Sequence, residues 1–135
     1  MNIFSQPTFY IKNLKEAKEI KVLAEKKKKG VNLIYSYHSS MWQGSLLIKQ
    51  IEVEIESGFV NFFIECPKNQ NKLTSYLKAG IKKYTSNFFE KKKNELIEII
   101  ESSNGFFFSK ERFKKIYFIE DENFSDICKL FEFQN

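Results

Sequence analysis

The six residues IEVEIE, Ile51–Glu56, constrain the fold more than any other segment, because two incompatible structures fit them. Their alternation of apolar and acidic side chains is typical of a half-buried strand. With the turn residues Ser57-Gly58 and the apolar run at 59–64, such a strand would complete a β-hairpin.

A longer apolar pattern that includes the same residues favours a helix. The positions that share one helical face begin well before Ile51, and they are Gly44, Leu47, Ile48, Ile51 and Ile55. A helix from Met41 to Ser57 also has the length of a crossover between parallel strands, whereas a hairpin would leave Ser40–Gln50 without a role. We therefore interpret IEVEIE as helical, with Ser39 or Ser40 as the N-cap and Gly58 as the C-cap.

Apolar and β-branched runs predict five strands along the chain. These runs are Thr8–Lys12, Val31–Ser36, Phe59–Glu65, Ile81–Ser86 and Phe106–Phe108. Helical patterns separate them, and Asn13, Asn71 and Asn87 stand where three of those helices begin. Glu16 follows Asn13 by three residues, which predicts a capping box. The glycines expected to end helices are Gly30, Gly80 and Gly105.

The alternation of strand and helix predicts an α/β fold, a three-layer sandwich around a mostly parallel sheet of about five strands. We expect a single domain over residues 1–135, with the βα repeats in residues 1–110. Residues 111–135 are predicted to add an edge strand at Ile116–Ile119 and a helix whose apolar stripe runs from Phe124 to Phe131. Flavodoxin-like strand order, 2-1-3-4-5, fits this alternation. A SpoIIAA-like (STAS) fold with a mixed sheet is the alternative.

Four segments in order, TFYIKNLKEA, GVNLIYS, FFIECP and LTSYLKAGIKKYTSN, resemble a family of small bacterial proteins that has no assigned activity. In that family a strand leads into a helix beginning Leu-x-Glu-Ala, a later strand ends in Asp-Cys-Gly, and a helix ends in an Ala-Leu-x-Ala-Gly-like segment. The similarity extends over most of residues 8–110. Glu65 and Pro67 stand where the family has Asp and Gly, so only Cys66 matches there. The resemblance implies an α/β architecture and no particular function.

Charge and composition limit the partners that the chain can have. The net charge of +5 favours an anionic partner, but lysine carries the excess and Arg112 is the only arginine. Because arginine makes most bidentate contacts to bases and phosphates, nucleic acid is not the expected partner. No apolar run approaches the roughly 20 residues that span a bilayer, and the N-terminus lacks a signal-peptide pattern. We expect a cytoplasmic protein that does not bind membranes.

Polar residues at the predicted strand ends mark a candidate binding site, because ligands of open parallel sheets lie beyond those ends. Several also stand at helix N-termini, which attract anions, so a small anionic ligand is expected. The residues are Lys12, Asn13, Ser39, Ser40, Lys68, Thr85, Ser86 and Asn87. Neither a GxGxxG nor a P-loop pattern is present, so no cofactor is expected. One histidine and two distant cysteines do not predict a metal site.

Three residues near the same edge are candidates for catalysis. Cys66 is either a thiolate activated by a helix dipole, Lys68 or His38, or a small buried side chain. His38 is either a base for Cys66 or a solvated residue of a serine-rich loop. Glu65 is either a ligand or acid–base group, or a structural carboxylate. If Glu65 is buried, its charge needs a partner such as Lys12 or Lys110.

Two functional classes therefore stay open. The preferred one is a non-catalytic binding or regulatory module, which acts through protein contacts, as a homo-oligomer or on a small anionic ligand. The other is a small thiol- or carboxylate-dependent enzyme centred on Cys66 and Glu65, with His38 and Lys68 assisting. No assembled catalytic constellation is visible in the sequence. If Cys66 points into the core, the enzyme hypothesis loses its nucleophile.

Overall fold

The computed structural model describes residues 3–86, 93–119 and 129. Strands and helices alternate along most of this chain. In order they are β1 Thr8–Ile11, α1 Leu14–Lys27, β2 Val31–Tyr35, α2 Tyr37–Ser40, α3 Ser45–Ile55, β3 Val60–Glu65, α4 Gln70–Lys78, β4 Lys83–Thr85, α5 Lys93–Ser102, β5 Phe106–Phe108 and β6 Ile116–Phe118. Two short 3₁₀ turns, at Ile3–Ser5 and Lys110–Arg112, complete the described elements.

All six strands lie in one parallel sheet in the order β5-β4-β3-β2-β1-β6. The α/β class and the parallel sheet are therefore confirmed, as is the edge strand, which pairs with β1 over Ile116–Phe118. The order differs from the flavodoxin-like 2-1-3-4-5, because β2 lies between β1 and β3 rather than beyond β1. The STAS-like alternative requires a mixed sheet, whereas the described strands all pair in parallel.

Because of the strand order, different parts of the chain pack on the two faces of the sheet. Strands β1 to β5 follow one another in a single direction, so right-handed crossovers put their helices on one face. Accordingly α1 packs on α3, α3 on α4, and α4 on α5. We call this the helical face. Residues 109–115 then return across the opposite face to reach β6 beside β1, and we call this segment the strap and that face the strap face.

Ile51–Ile55 of the segment IEVEIE are helical, as predicted, and form the last part of α3. Ile51 and Ile55 are buried, and Val53 between them is 67% exposed. The helix begins at Ser45, later than predicted, because Ser36–Met41 form a separate short helical turn. Gly44 is its N-cap, so Ser39 and Ser40 are not. Gly58 does not cap the other end either, because the chain leaves α3 through an extended residue, Glu56.

Most of the other predicted helix ends are shifted by one to three residues. The capping box is confirmed, since Asn13 Oδ1 accepts from the Glu16 amide at 2.9 Å. Asn69, not Asn71, caps α4. Lys28, with φ of 55°, takes the left-handed C-cap position predicted for Gly30, whereas Gly80, with φ of 89°, follows α4 as predicted. The Asn87 cap, the helix start at Phe88 and the stripe from Phe124 to Phe131 lie outside the described residues.

An aromatic cluster fills the strap face. Phe113 of the strap is 4% exposed, and its ring meets those of Phe4 and Phe63 edge-on at 5.2 Å each. Phe108 packs against the same two rings. The Lys114 amide donates to the Phe4 carbonyl at 2.9 Å, so the strap and the N-terminal turn hold each other in place. Within residues 3–86 and 93–119, this cluster covers the face opposite α1, α3, α4 and α5.

Truncation of the strap aromatic tests this arrangement. Phe113→Ala is expected to lower the free energy of unfolding by about 3–5 kcal/mol, because it empties a packed aromatic site. Phe106→Ala is the control, since Phe106 is 56% exposed. Urea unfolding followed by circular dichroism measures both losses. Equal losses in the two variants would show that the strap does not close a second core.

Candidate functional site

The best-defined polar site lies at the end of the central strand β3. Glu65 is its last residue, and its side chain is 1% exposed on the strap face. Glu65 Oε1 accepts hydrogen bonds from the Tyr10 hydroxyl and, at 2.6 Å, from the Tyr37 amide. Glu65 Oε2 accepts from the Lys110 ammonium. Lys110 is one of the two partners that the sequence predicted for a buried Glu65.

Each of the three donors comes from a different element. Tyr10 extends from β1, and Lys110 opens the strap. Ser36 is the N-cap of α2. The Tyr37 amide lies in the first turn, where it has no acceptor within the helix, and it donates to the carboxylate instead. The register of β3 and β4 puts Thr85 beside Glu65. Ser86 follows, and its hydroxyl accepts from the Lys110 amide at 2.8 Å.

The charges at this site compensate one another. The Lys110 side chain is only 11% exposed, and its ammonium also lies 5.2 Å from the centre of the Tyr10 ring. Burial first, and then the hydrogen bond to Glu65, raise the pKa of Tyr10 well above its ordinary value, so its hydroxyl stays a neutral donor. Glu65 would have to leave an ion pair and two other donors to act as a base.

Cys66 faces the other side of the sheet from Glu65, because successive strand residues alternate. It is 4% exposed within the core of the helical face, and its Sγ lies 3.5 Å from the Pro67 carbonyl oxygen. His38 is exposed on α2. The structure therefore puts the predicted thiol in the core and the predicted base at the surface.

The predicted ligand residues are placed mostly in local structural roles. Asn13 caps α1, and Ser39 donates its amide to the Ser36 hydroxyl. Ser40 is buried and donates to the Tyr37 carbonyl at 3.2 Å. Asn13 and Ser36 thus already supply acceptors at the starts of α1 and α2, whereas α3 begins after Gly44 and has no side-chain cap.

The other predicted ligand residues divide between two places. Thr85 and Ser86 are buried beside Glu65, and Thr85 Oγ1 has no hydrogen-bond partner among the described residues. Lys12 is half-buried, and its amide donates to Glu16 at 2.8 Å. Lys68 is exposed, with its ammonium 5.5 Å from the centre of the Tyr37 ring. Asn87 lies outside the described residues.

Sequence reasoning missed the turn that joins α2 to α3. Trp42 lies on it and is 83% exposed, and Leu46 in the first turn of α3 is 81% exposed. Leu47, which was predicted to face inward, is 47% exposed. Two features of the sequence could have indicated this surface. Trp42 is the chain's only tryptophan, and Leu46 lies off the apolar stripe that buries Ile48.

Two buried tyrosines of the core and the half-buried Lys72 of α4 hold this turn. The Tyr76 hydroxyl donates to the Ser40 carbonyl at 2.8 Å, and the Lys72 ammonium donates to the Met41 carbonyl at 2.8 Å. The Tyr35 hydroxyl donates to Gln43 Oε1 at 2.7 Å. Burial raises the pKa of Tyr76 to about 12, so that hydroxyl keeps its proton. The turn is therefore fixed, although Trp42 itself points into solvent.

Two further observations concern metal binding and membrane crossing. Residues 3–86, 93–119 and 129 contain no group of three His, Cys, Asp or Glu side chains placed to hold a metal ion. In the same part of the chain, no helix combines the length and the apolar character needed to cross a membrane.

Comparison with known proteins adds no family. A scan against protein-family models finds none that matches this chain. A search of curated proteins also finds no similar sequence. The resemblance to the small bacterial family therefore stays a prediction, and the function is argued from the geometry alone.

The buried ion pair predicts an asymmetric response to mutation. Lys110→Met leaves the Glu65 carboxylate buried without its counter-charge, so a loss of about 3–5 kcal/mol in unfolding free energy is expected. Glu65→Gln strands the Lys110 ammonium, but it keeps the acceptor for Tyr10 and the Tyr37 amide, and the long, less buried Lys110 side chain can turn its charge toward water, so it should cost less. Lys18→Met, which removes an exposed pair with Glu54, should cost under about 1 kcal/mol. The idea fails if urea unfolding gives Lys110→Met and Lys18→Met similar losses.

The burial of Cys66 predicts slow alkylation. In a Cys128→Ser background, iodoacetamide should label the native protein far more slowly than the urea-unfolded protein, because the thiol lies in the core. The rate should follow the fraction unfolded as urea rises. Rapid labelling of the native state, with an apparent pKa below the usual value of about 8.5, would instead restore the thiolate hypothesis.

Proposed function

We propose that the protein is a non-catalytic binding module that recognises another protein through the Trp42 turn and the adjacent ends of α3 and α4. We call this the turn surface, and it consists of Trp42, Leu46 and the groove between α3 and α4. The groove is lined by Ser45, Leu46, Asn71, Thr74, Ser75, Lys78 and Ala79. The observation that carries the proposal is a tryptophan 83% exposed on a turn held by buried donors.

Exposure alone would be weak support, because single apolar side chains are common on protein surfaces. Here the exposed group is a tryptophan, the residue most enriched at binding hot spots. A second large apolar side chain, Leu46, follows it by four residues with similar exposure. Apolar anchors this close to a groove match the anatomy of an interface core.

Preorganisation of the turn supports the proposal further. Binding costs entropy when loops and side chains must be ordered on association. Lys72 and Tyr76 already hold the turn backbone, and Tyr35 holds the side chain of Gln43 in the same turn. The Ser75 hydroxyl also donates to the Ser45 hydroxyl at 3.1 Å, which joins α4 to the start of α3. Much of that ordering cost is thus met before a partner arrives.

The competing enzyme hypothesis has less support. Its thiol, Cys66, is in the core, and its carboxylate, Glu65, is engaged by an ammonium, a hydroxyl and an amide. His38 is exposed at the surface, whereas the Cys66 thiol that it would activate is buried. The small-anion hypothesis is weakened in turn, because Asn13, Ser36 and Asn69 already cap their helices.

Photo-crosslinking tests the proposal. A photoreactive phenylalanine analogue in place of Leu46 should yield a discrete covalent adduct in the cells that make this protein. The same analogue in place of Val53, 67% exposed on the same helix, is the control and should yield none. With the adduct's partner purified, Trp42→Ala should weaken binding at least about tenfold, as expected for a hot-spot aromatic, and Val53→Ala should not.

The outcome is decisive in both directions. Adducts at both positions, or at neither, would count against the turn surface as an interface. Retention of full affinity by Trp42→Ala would do the same. Circular dichroism of each variant checks that the fold is kept.

A further inference from the structure

We infer that the partner of the turn surface presents an acidic segment carrying apolar side chains. This inference rests on the proposed function and adds the chemistry of the partner. It is drawn from the distribution of charge around Trp42 and Leu46.

Acidic residues are missing from the two segments that build the turn surface. Residues 37–51 and 66–79 contain no Asp or Glu, although the chain has 17 of them. The same segments contain four lysines, Lys49, Lys68, Lys72 and Lys78, so they account for most of the net charge of +5. The rest of the chain is close to neutral. The turn surface is therefore built from segments that carry positive charge and have no acidic residue of their own.

The lysines differ in how much they can offer a partner. Lys49 is paired with Glu52 at 2.6 Å and also donates to the Gly80 carbonyl. Lys78 is exposed and lines the same groove as Leu46. Lys68 is exposed on the loop that precedes α4. Lys78 is thus the charge best placed to meet a carboxylate at the groove, and Lys68 adds positive charge on the loop before α4.

Lys72 holds a positive charge beneath the turn. Among the residues that the structure describes, its ammonium donates to two neutral carbonyls, those of Met41 and Gln43. Burial partly desolvates the charged ammonium, and this desolvation lowers the pKa of Lys72. A carboxylate near Trp42 would stabilise that charge. Gly44 also gives the start of α3 no side-chain acceptor, so the helix dipole adds to the positive potential.

Charge complementarity of this kind favours acidic partners and rejects basic ones. Nucleic acid fits less well, because the turn surface has no arginine and a single aromatic platform, Trp42. A membrane surface or a second copy of this chain would use the same side chains, and both are outcomes of the test.

A displayed library of random peptides provides the probe. Peptides are selected on the wild-type protein, and those that do not bind the Trp42→Ala/Leu46→Ala variant are kept. These peptides should be enriched in Asp and Glu together with Leu, Ile, Phe or Trp. Their affinities should fall as salt is raised from low to physiological ionic strength, because the charges lie at an exposed rim.

Charge reversal with a matched control tests the role of the lysines. Lys68→Glu/Lys78→Glu should weaken the selected peptides at least about tenfold, the size of effect typical of lost charge complementarity. Lys26→Glu/Lys27→Glu makes the same change in net charge on exposed lysines in the last turn of α1, and should change affinity little. Equal effects of the two reversals would overturn the inference, because only net charge would then matter.

The remaining outcomes separate this inference from the proposed function. Selected peptides that are neutral or basic would overturn the acidic partner but keep Trp42 as an anchor. Failure to recover any Trp42-dependent peptide would overturn both. Binding to phosphatidylserine vesicles or single-stranded RNA that is lost in Trp42→Ala/Leu46→Ala would overturn the acidic partner. Sedimentation of a dimer that the same variant abolishes would do so as well.

Discussion

The buried ion pair between Glu65 and Lys110 is the interaction on which the rest of the structure depends. A carboxylate this deeply buried is stable only if it is fully compensated, and the compensation draws on three separate elements. Lys110 fixes the start of the strap, Tyr10 ties in β1, and the Tyr37 amide fixes the start of α2. Tyr76 and Lys72 then hold the end of α2. The turn that presents Trp42 is therefore fixed from both sides, and the polar core is connected to the exposed surface.

The order of the strands explains why so many phenylalanines are needed. A sheet wound in one direction puts its crossover helices on one face and leaves the other without them. In this chain Phe4, Phe63, Phe108 and Phe113 close that second face, although the segments that carry two of them, the N-terminal turn and the strap, are short. Aromatic rings suit this role because each buries a large apolar area per residue. The topology thus accounts for four of the chain's 15 phenylalanines.

Local patterns predicted the elements of this fold but not their arrangement. The alternation of strand and helix and the helical state of Ile51–Ile55 follow from periodicity, and the cost of burying a charge predicts a lysine partner for Glu65, either Lys12 or Lys110. Strand order does not, because any right-handed crossover satisfies the same local pattern. Gly30 and Asn71 were assigned as caps on composition, yet Lys28 and Asn69 take those positions, since tertiary contacts decide where a helix ends.

The candidate site shows the same division. Glu65 could be recognised because it ends the most apolar strand. Trp42 is marked in the sequence as the chain's single tryptophan, but its exposure depends on the packing around it. The polar side chains at the strand ends largely bind one another or cap helices, so the edge where parallel sheets usually bind ligands is occupied by the protein's own groups. The proposed recognition therefore uses another surface. The helical side of the molecule offers one, because Trp42 and Leu46 lie there on lysine-bearing segments without acidic residues, on backbone that the core already holds in place.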